Sequence, residues 1–351
     1  MSGRLRAHPA SIAARIVAVL LSFGAAAPAA LRAEEAAPAV PALQAPGLAQ
    51  PSRNAAPEDA GDRLSRIEQA TWDRDVKAVP VLREWAATDP SDRVRERSVG
   101  ALAIIGDPGA GPLLLGRLAD DPSVAVRRAA AEAIGVLRPP ATLGRLADSL
   151  KTDVDPYVRA ECARAIGRIR GAAAEPHLLV AVVRDPSPEV RALAAEALAA
   201  IRSPDAGAML RAVVERDDSP LVRTYAVRAL VMISPVSSAP LFRAMWNESP
   251  DPELRLEAFR GLLAAEPGEA WERAGLADAD DRIRFLAFRE WLSRTLGAAR
   301  RADAPPDHQF TGRLAAFLDD RVPGIRELAK AQLESLGVKV RPSGFGYAVE
   351  R

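Results

Sequence analysis

Seven aspartates each stand six residues before an arginine: Asp89 and Arg95, Asp121 and Arg127, Asp153 and Arg159, Asp185 and Arg191, Asp217 and Arg223, Asp278 and Arg284, Asp320 and Arg326. An eighth arginine, Arg255, has Ser249 at the aspartate position. Carboxylates beside guanidiniums are the raw material of acid–base chemistry. A catalytic constellation needs to occur once, however, whereas a structural joint must occur in every unit of a repeat. The recurrence therefore predicts a ladder, with the aspartate in a turn and the arginine on the helix that follows.

The remaining inventory is thin. Histidine occurs at His8, His177 and His308 only, which is too sparse for a metal site. Cys162 is the sole cysteine, so no intramolecular disulfide can form, and it falls in a column of alanines that marks a buried small residue. No phosphate-binding glycine loop, nucleophile elbow or paired-carboxylate motif occurs. No catalytic, cofactor or metal site is expected.

The charged columns are carried by a helix whose first apolar residue recurs at Val94, Val126, Val158, Val190, Val222, Leu254, Ile283 and Ile325, the first five intervals being 32 residues each. From each anchor, apolar or small residues fall four, seven or eight, and eleven positions on, one face of an α-helix. The position-four column holds Ser98, Ala130, Cys162, Ala194, Ala226, Ala258, Ala287 and Ala329, small enough to let neighbouring helices stack. Three residues before the anchor stand Ser91, Ser123, Asp155, Ser187, Ser219, Asp251 and Asp280, all good N-caps. Pro156, Pro188, Pro220 and Pro252 follow at the first helical position, where the missing N–H costs nothing. A first helix precedes each of these, over about Val76 to Trp85, Gly111 to Ala119, Thr142 to Leu150, Glu175 to Val183, Asp205 to Val214, Ala239 to Trp246, Glu269 to Leu276 and Gly312 to Leu318.

This Asp-x5-Arg spacing resembles HEAT repeats, and the short unit with its xVRxxAAxAL core is similar to the HEAT-like repeats of phycobilisome lyases, over roughly residues 76 to 337. The resemblance implies an all-α fold, a right-handed α-solenoid of about eight helical hairpins, and a ladder along its length. His177 and His308 form no His-Glu pair of the kind used by HEAT-repeat di-iron hydroxylases, and no lyase active residue can be placed on this sequence. The function that follows is a protein-binding scaffold without enzymatic activity. A lyase-type or chromophore-handling protein and a purely structural envelope spacer are the alternatives.

Residues 1–33 carry Arg4, Arg6 and Arg15 without an acid, then an apolar run from Ile16 to Phe23 and small residues up to Ala33. That pattern predicts a signal peptide cleaved after Ala33, or after Ala29, and hence a periplasmic or cell-envelope protein. If uncleaved, it would act as an N-terminal membrane anchor. Removing it takes away four arginines, so 47 basic against 46 acidic residues becomes 43 against 46, a net charge of −3. A near-neutral chain has no footprint for nucleic acid. Residues 34–61, rich in Ala and Pro, read as a disordered linker, and 62–337 as the solenoid. Trp72, at the start, is placed to cover the open end of the stack. The interval before Ile325 is 42 residues, and the surplus, Arg294 to Gln309, reads as an inserted loop. The tail, 338–351, is expected to pack on the last repeat.

At 100° per residue, the side of the second helix opposite the buried stripe carries positions two, six and nine after the anchor, the concave lining of a HEAT-like stack. Early repeats place small or charged residues there, such as Glu132, Gly135, Ala160, Gly167 and Glu196. Late repeats place Leu256 and Phe285 at position two, Val231, Leu263 and Leu292 at position nine, and Arg228, Arg260 and Arg289 at position six. Apolar residues beside an arginine row suit a protein partner offering an apolar anchor and carboxylates. The competing reading makes the same residues part of a thickened C-terminal core.

Overall fold

The computed structural model describes residues 59–203, 205–301 and 308–350, so the signal segment and nearly all of the linker lie outside the described residues. The chain divides into two compact units at Arg66. The first is described from Asp59 and supplies the opening turns of helix α1 (Ala60–Asp73), which starts two residues before the expected Asp62. Farther along α1, Ile67 is buried, whereas Trp72 is 87% exposed and covers nothing. Trp72 follows Ile67 by five residues, about 140° around the helix, which turns it to solvent.

The second unit builds eight hairpins among the described residues: α2 (Val79–Thr88) with α3 (Asp92–Ile105), α4 (Gly111–Asp120) with α5 (Val124–Leu137), α6 (Leu143–Thr152) with α7 (Pro156–Ile169), and α8 (Glu175–Arg184) with α9 (Pro188–Ala200). There follow α10 (Ala206–Arg216) with α11 (Pro220–Ile233), α12 (Pro235–Glu248) with α13 (Pro252–Ala265), α14 (Glu269–Leu276) with α15 (Asp281–Arg301), and α16 (His308–Ala315) with α17 (Pro323–Ser335). The fold is an all-α solenoid. Ser91, Asp155, Ser187 and Asp251 accept N–H bonds from the first turns of α3, α7, α9 and α13. Ser123 and Ser219 hold the cap position without such a bond. The anchors Val94 to Ile325 and the small column from Ser98 to Ala329 are buried.

Three elements depart from expectation. Helix α12 begins at Pro235, four residues before Ala239, because Pro235 takes the first helical position directly after α11, and Pro240 is carried inside it. The Arg294–Gln309 surplus is helix through Arg301, since Leu, Ala and Arg are good helix formers, and Arg294 anchors it with Nε 2.6 Å from Glu272 Oε1. The tail forms a two-stranded antiparallel hairpin, β1 (Val340–Ser343) and β2 (Gly346–Val349), the one non-helical element among the described residues. It docks on the last repeat: Tyr347 N–H donates to the Leu318 carbonyl at 3.0 Å, and its hydroxyl to Glu327 at 2.5 Å. A Cβ at Gly346 would collide with that same carbonyl.

The ladder ions pair across repeats. From Asp121 to Asp217 each aspartate carboxylate takes the forked guanidinium of the preceding repeat: Arg95 on Asp121 at 2.9 Å, Arg127 on Asp153 at 2.9 Å, Arg159 on Asp185 at 2.9 Å and Arg191 on Asp217 at 2.7 Å. Arg255 reaches Asp278 at 2.6 Å and Arg284 reaches Asp320. Within a repeat the arginine six residues on takes the aspartate's backbone carbonyl and not its carboxylate, as Arg191 takes that of Asp185 at 2.9 Å and Arg326 that of Asp320 at 2.7 Å; at Asp278 the carbonyl goes to Arg321 instead. Each carboxylate also accepts the N–H two residues on, Asp89 from Ser91 included. One arginine thus fixes its own turn and the next.

The ladder is interrupted at Arg223. Its Nη1 holds the Asp217 carbonyl at 2.9 Å, but the next repeat offers Ser249 instead of a carboxylate. Ser249→Asp should complete the rung and stabilise the chain by about 1 kcal/mol, a net charged hydrogen bond at a half-buried site. An unchanged urea midpoint would show that the forked geometry does not form there.

Candidate functional site

The second helices stack side by side more closely than the first helices do, because small residues meet at their contacts. A Cβ at Gly135 would sit 3.0 Å from Ala165 Cα, and one at Gly167 3.0 Å from Ala197 Cα. This closeness covers both flanks of each second helix. Most of positions two and nine are accordingly packed: Ala160, Ala192, Leu256, Leu263 and Leu292 are buried, as are Gly135 and Gly167, while Arg128 at position two is exposed. What remains open is a strip at positions one before, and six and ten after, the anchor, joined at position three by half-buried Leu193 and Tyr225, whereas Glu161 and Glu257 at that position are buried.

This rearranges the expected partner site in the late repeats. Leu256 and Leu263 pack with Phe259, Ile283 and Ala287, and Leu292 lies in the terminal core, with half-buried Phe285 against it. Val231 is half-buried. Leu256, Leu263 and Leu292 hold the C-terminal repeats together and offer no apolar grip. The arginines do face outward. Arg228 reaches the buried Glu257 at 2.9 Å and stands 5.5 Å above the Tyr225 ring; Arg260 lies 3.5 Å from the same carboxylate, and Arg289 is exposed.

Among the described residues a concavity lies earlier, where the sequence shows mostly small and charged residues. On α7 the open strip is Tyr157, Arg164 and Arg168, with Glu161 buried beneath them, and on α11 it is Leu221, Tyr225, Arg228 and Met232. Between these ridges α9 presents Glu189, Leu193, Glu196 and Ala200, leaving a valley. A cleft of about 340 Å³ occupies one end, floored by Ala160 and Ala192 and walled by Tyr157, Leu193, Leu221 and Tyr225. A second, of about 430 Å³, lies beside it among the C-terminal ends of α5 and α7 and helix α9, lined by Arg138, Arg164, Arg168, Arg170 and Glu196. Arg164 borders both.

Glu161 organises the boundary. Its side chain is 8% exposed and pairs with Arg164 at 2.7 Å, while Arg168 stands at 3.7 Å, within ion-pair range and too far for a hydrogen bond. Glu161 Oε1 has no hydrogen-bond donor among the described residues. Burial pushes its carboxyl above the usual carboxylate range; Arg164 and Arg168 oppose that shift and Glu132 adds to it. Cys162, beside it, is buried, and burial pushes its thiol up, consistent with an inert packing residue. The signal in the sequence lay in Tyr157 and Tyr225, two of the chain's 3 tyrosines, at strip positions two repeats apart.

Stacked two-helix units joined by a recurring ion ladder, with an open strip on the second helices, define an α-solenoid of the HEAT type. The chain belongs to the HEAT repeat family, whose model matches residues 58–135, 112–182 and 175–263. Among solved structures it is similar to the complex of CpcE and CpcF of phycocyanin lyase from Nostoc sp. PCC7120. The identity is 20%, covering 64% of this chain and 94% of that one, with a TM-score of 0.44. It is also similar to human deoxyhypusine hydroxylase in complex with glycerol, at 22% identity, covering 60% of this chain and 81% of that one, with a TM-score of 0.32. A comparison with curated protein sequences finds no match.

Proposed function

We propose that this protein is an exported scaffold that holds a partner protein along the open strip of its second helices, over α5 to α11. The observation that carries the reading is the pair of adjoining clefts there, one tyrosine-walled and one arginine-lined. Aromatic residues and arginine are the side chains that protein interfaces favour at their energetic centres. The reading assigns binding and no reaction: the carboxyls of Asp121, Asp217 and Asp320, held below their ordinary value, belong to a joint repeated along the stack.

Export rests on the basic and apolar N-terminal segment. No helix among the described residues is long and apolar enough to cross a membrane. A fusion of residues 1–40 to a reporter active only outside the cytoplasm should give activity, with cleavage near Ala33. Retention of full-length reporter in the cytoplasm would end the periplasmic assignment.

The binding face is tested in the native envelope with a photo-crosslinking amino acid placed at Tyr157 or Tyr225, and at Val183 on the first helix α8, which is 48% exposed. The strip positions should give a discrete crosslinked protein and Val183 none. Equal crosslinking from both faces, or none from the strip, rules the assignment out.

A further inference from the structure

We infer that the paired clefts take an acidic, extended segment of the partner, its carboxylates over Arg138 and Arg170 and an apolar side chain between Tyr157 and Tyr225. The inference rests on the partner-binding reading above and gives that partner its chemistry. Arg164 and Arg168 are already engaged by Glu161. The Arg138 and Arg170 side chains are exposed, line the same cleft, and make no hydrogen bond or ion pair to the described residues. In this cleft they are the cations left over for a ligand.

Their backbone points the same way. Arg138 and Arg170 close α5 and α7 in the left-handed region, with φ of 51° and 56°, where Gly106 closes α3 at 86°. Glycine is the unstrained choice at such a cap, and any side chain there costs backbone energy. A cation is favoured by the helix C-terminus, which explains why arginine is tolerated but not why glycine is absent. Consecutive repeats thus spend conformational strain to hold a guanidinium at this rim.

Spacing selects the ligand's shape. Packed helices lie about 8–10 Å apart, and an extended chain rises about 3.3 Å per residue, so acids three residues apart match arginines one repeat apart. The adjoining cleft is walled by Tyr157, Leu193, Leu221 and Tyr225, which suits an apolar side chain from the same segment. A uniform polyanion, whether nucleic acid or an anionic membrane surface, would lie against Glu189 and Glu196 in the same valley. A peptide can place its charges to avoid them.

The test uses the full chain and a fluorescein-labelled peptide carrying one leucine and two glutamates three residues apart, read by anisotropy against its glutamine counterpart. The glutamate peptide should bind about tenfold tighter or more, and the difference should shrink as salt is raised. The variant Arg138→Gly with Arg170→Gly should abolish the difference while melting at or above the parent, because glycine relaxes both caps. Tyr225→Ala should weaken the peptide without altering the glutamate preference. Equal binding of the two peptides, or full binding by the double glycine variant, overturns the inference. So does capture of the protein by phosphatidylglycerol vesicles, or binding of inorganic phosphate, without peptide binding. Crosslinks from position 225 that persist in the double glycine variant would sink the acidic chemistry alone, whereas loss of strip crosslinks from the parent chain would sink the reading beneath it.

Discussion

Asp121→Ala should lower stability by about 3–5 kcal/mol, the range for breaking a buried ion pair and stranding one partner. Asp121 is the most enclosed carboxylate of the ladder: its side chain is fully buried, with Arg95 at 2.9 Å and Arg117 at 3.2 Å. It also accepts the Ser123 N–H at 3.0 Å. Removing it strands the buried Arg95 and frees the turn that starts α5. Glu215→Ala, an exposed control on α10, should stay within about 0.5 kcal/mol of the parent. Coincident melts for the two variants would show that the ladder is not structural.

The pH dependence of that loss has a definite sign. Burial pushes the Asp121 carboxyl up, but the Arg95 fork, the Ser123 N–H and Arg117 together hold it below its ordinary value. A depressed acid stabilises the fold above its unfolded pKa, about 3.9, and loses that contribution as pH falls through the folded value. The difference between parent and Asp121→Ala should therefore be full at neutral pH and close below about pH 4. A gap that widens in acid would contradict the geometry. Because solenoid repeats couple mainly to their neighbours, amide exchange should rise first around α3 to α5.

Periodicity made most of this fold legible. Anchors, caps and ladder columns recur at 32 residues, so each copy corroborates the others. What does not recur was harder to read. Trp72 and the Arg294–Gln309 stretch each occur once, and a lone tryptophan or a length surplus does not state which way it faces or whether it is helix. The binding face shows a subtler limit. Helical phase correctly separates the buried stripe from the opposite side, but it cannot report how far neighbouring helices cover the flanks. That depends on approach distance, set here by contacts such as Gly167 against Ala197. The open strip is consequently turned from positions two, six and nine toward positions six, ten and the one before the anchor, and Leu256, Leu263 and Leu292 fall inside. Glu161, with its lone arginine hydrogen bond, is not distinguishable in the sequence from Glu257, where Arg228 and Arg260 converge.

The packed state of those late-repeat residues has its own measurable consequence at Trp291. Trp291 is 1% exposed at the centre of the terminal core, stacked on Phe310 at 5.7 Å and against Phe317 at 5.4 Å. The Arg313 guanidinium stands 5.1 Å above its ring. Leu292 is its chain neighbour in the same core. Trp291→Ala should cost about 3–5 kcal/mol, the cost of emptying a large aromatic site that the helices around it cannot collapse to fill. Its indole N–H, however, is buried without an acceptor among the described residues, a desolvation penalty already present in the parent. Trp291→Phe removes that orphan donor while keeping most of the ring contacts, so it should lose only about 1 kcal/mol or less. The separation between the two variants is the signature of a core residue. If Leu256, Leu263 and Leu292 instead gripped a partner, Trp291→Phe would reduce crosslinking from position 225 with little change in the melt. Unchanged crosslinking together with a large melt difference between the Ala and Phe variants places these residues in the core that closes the C-terminal end of the stack.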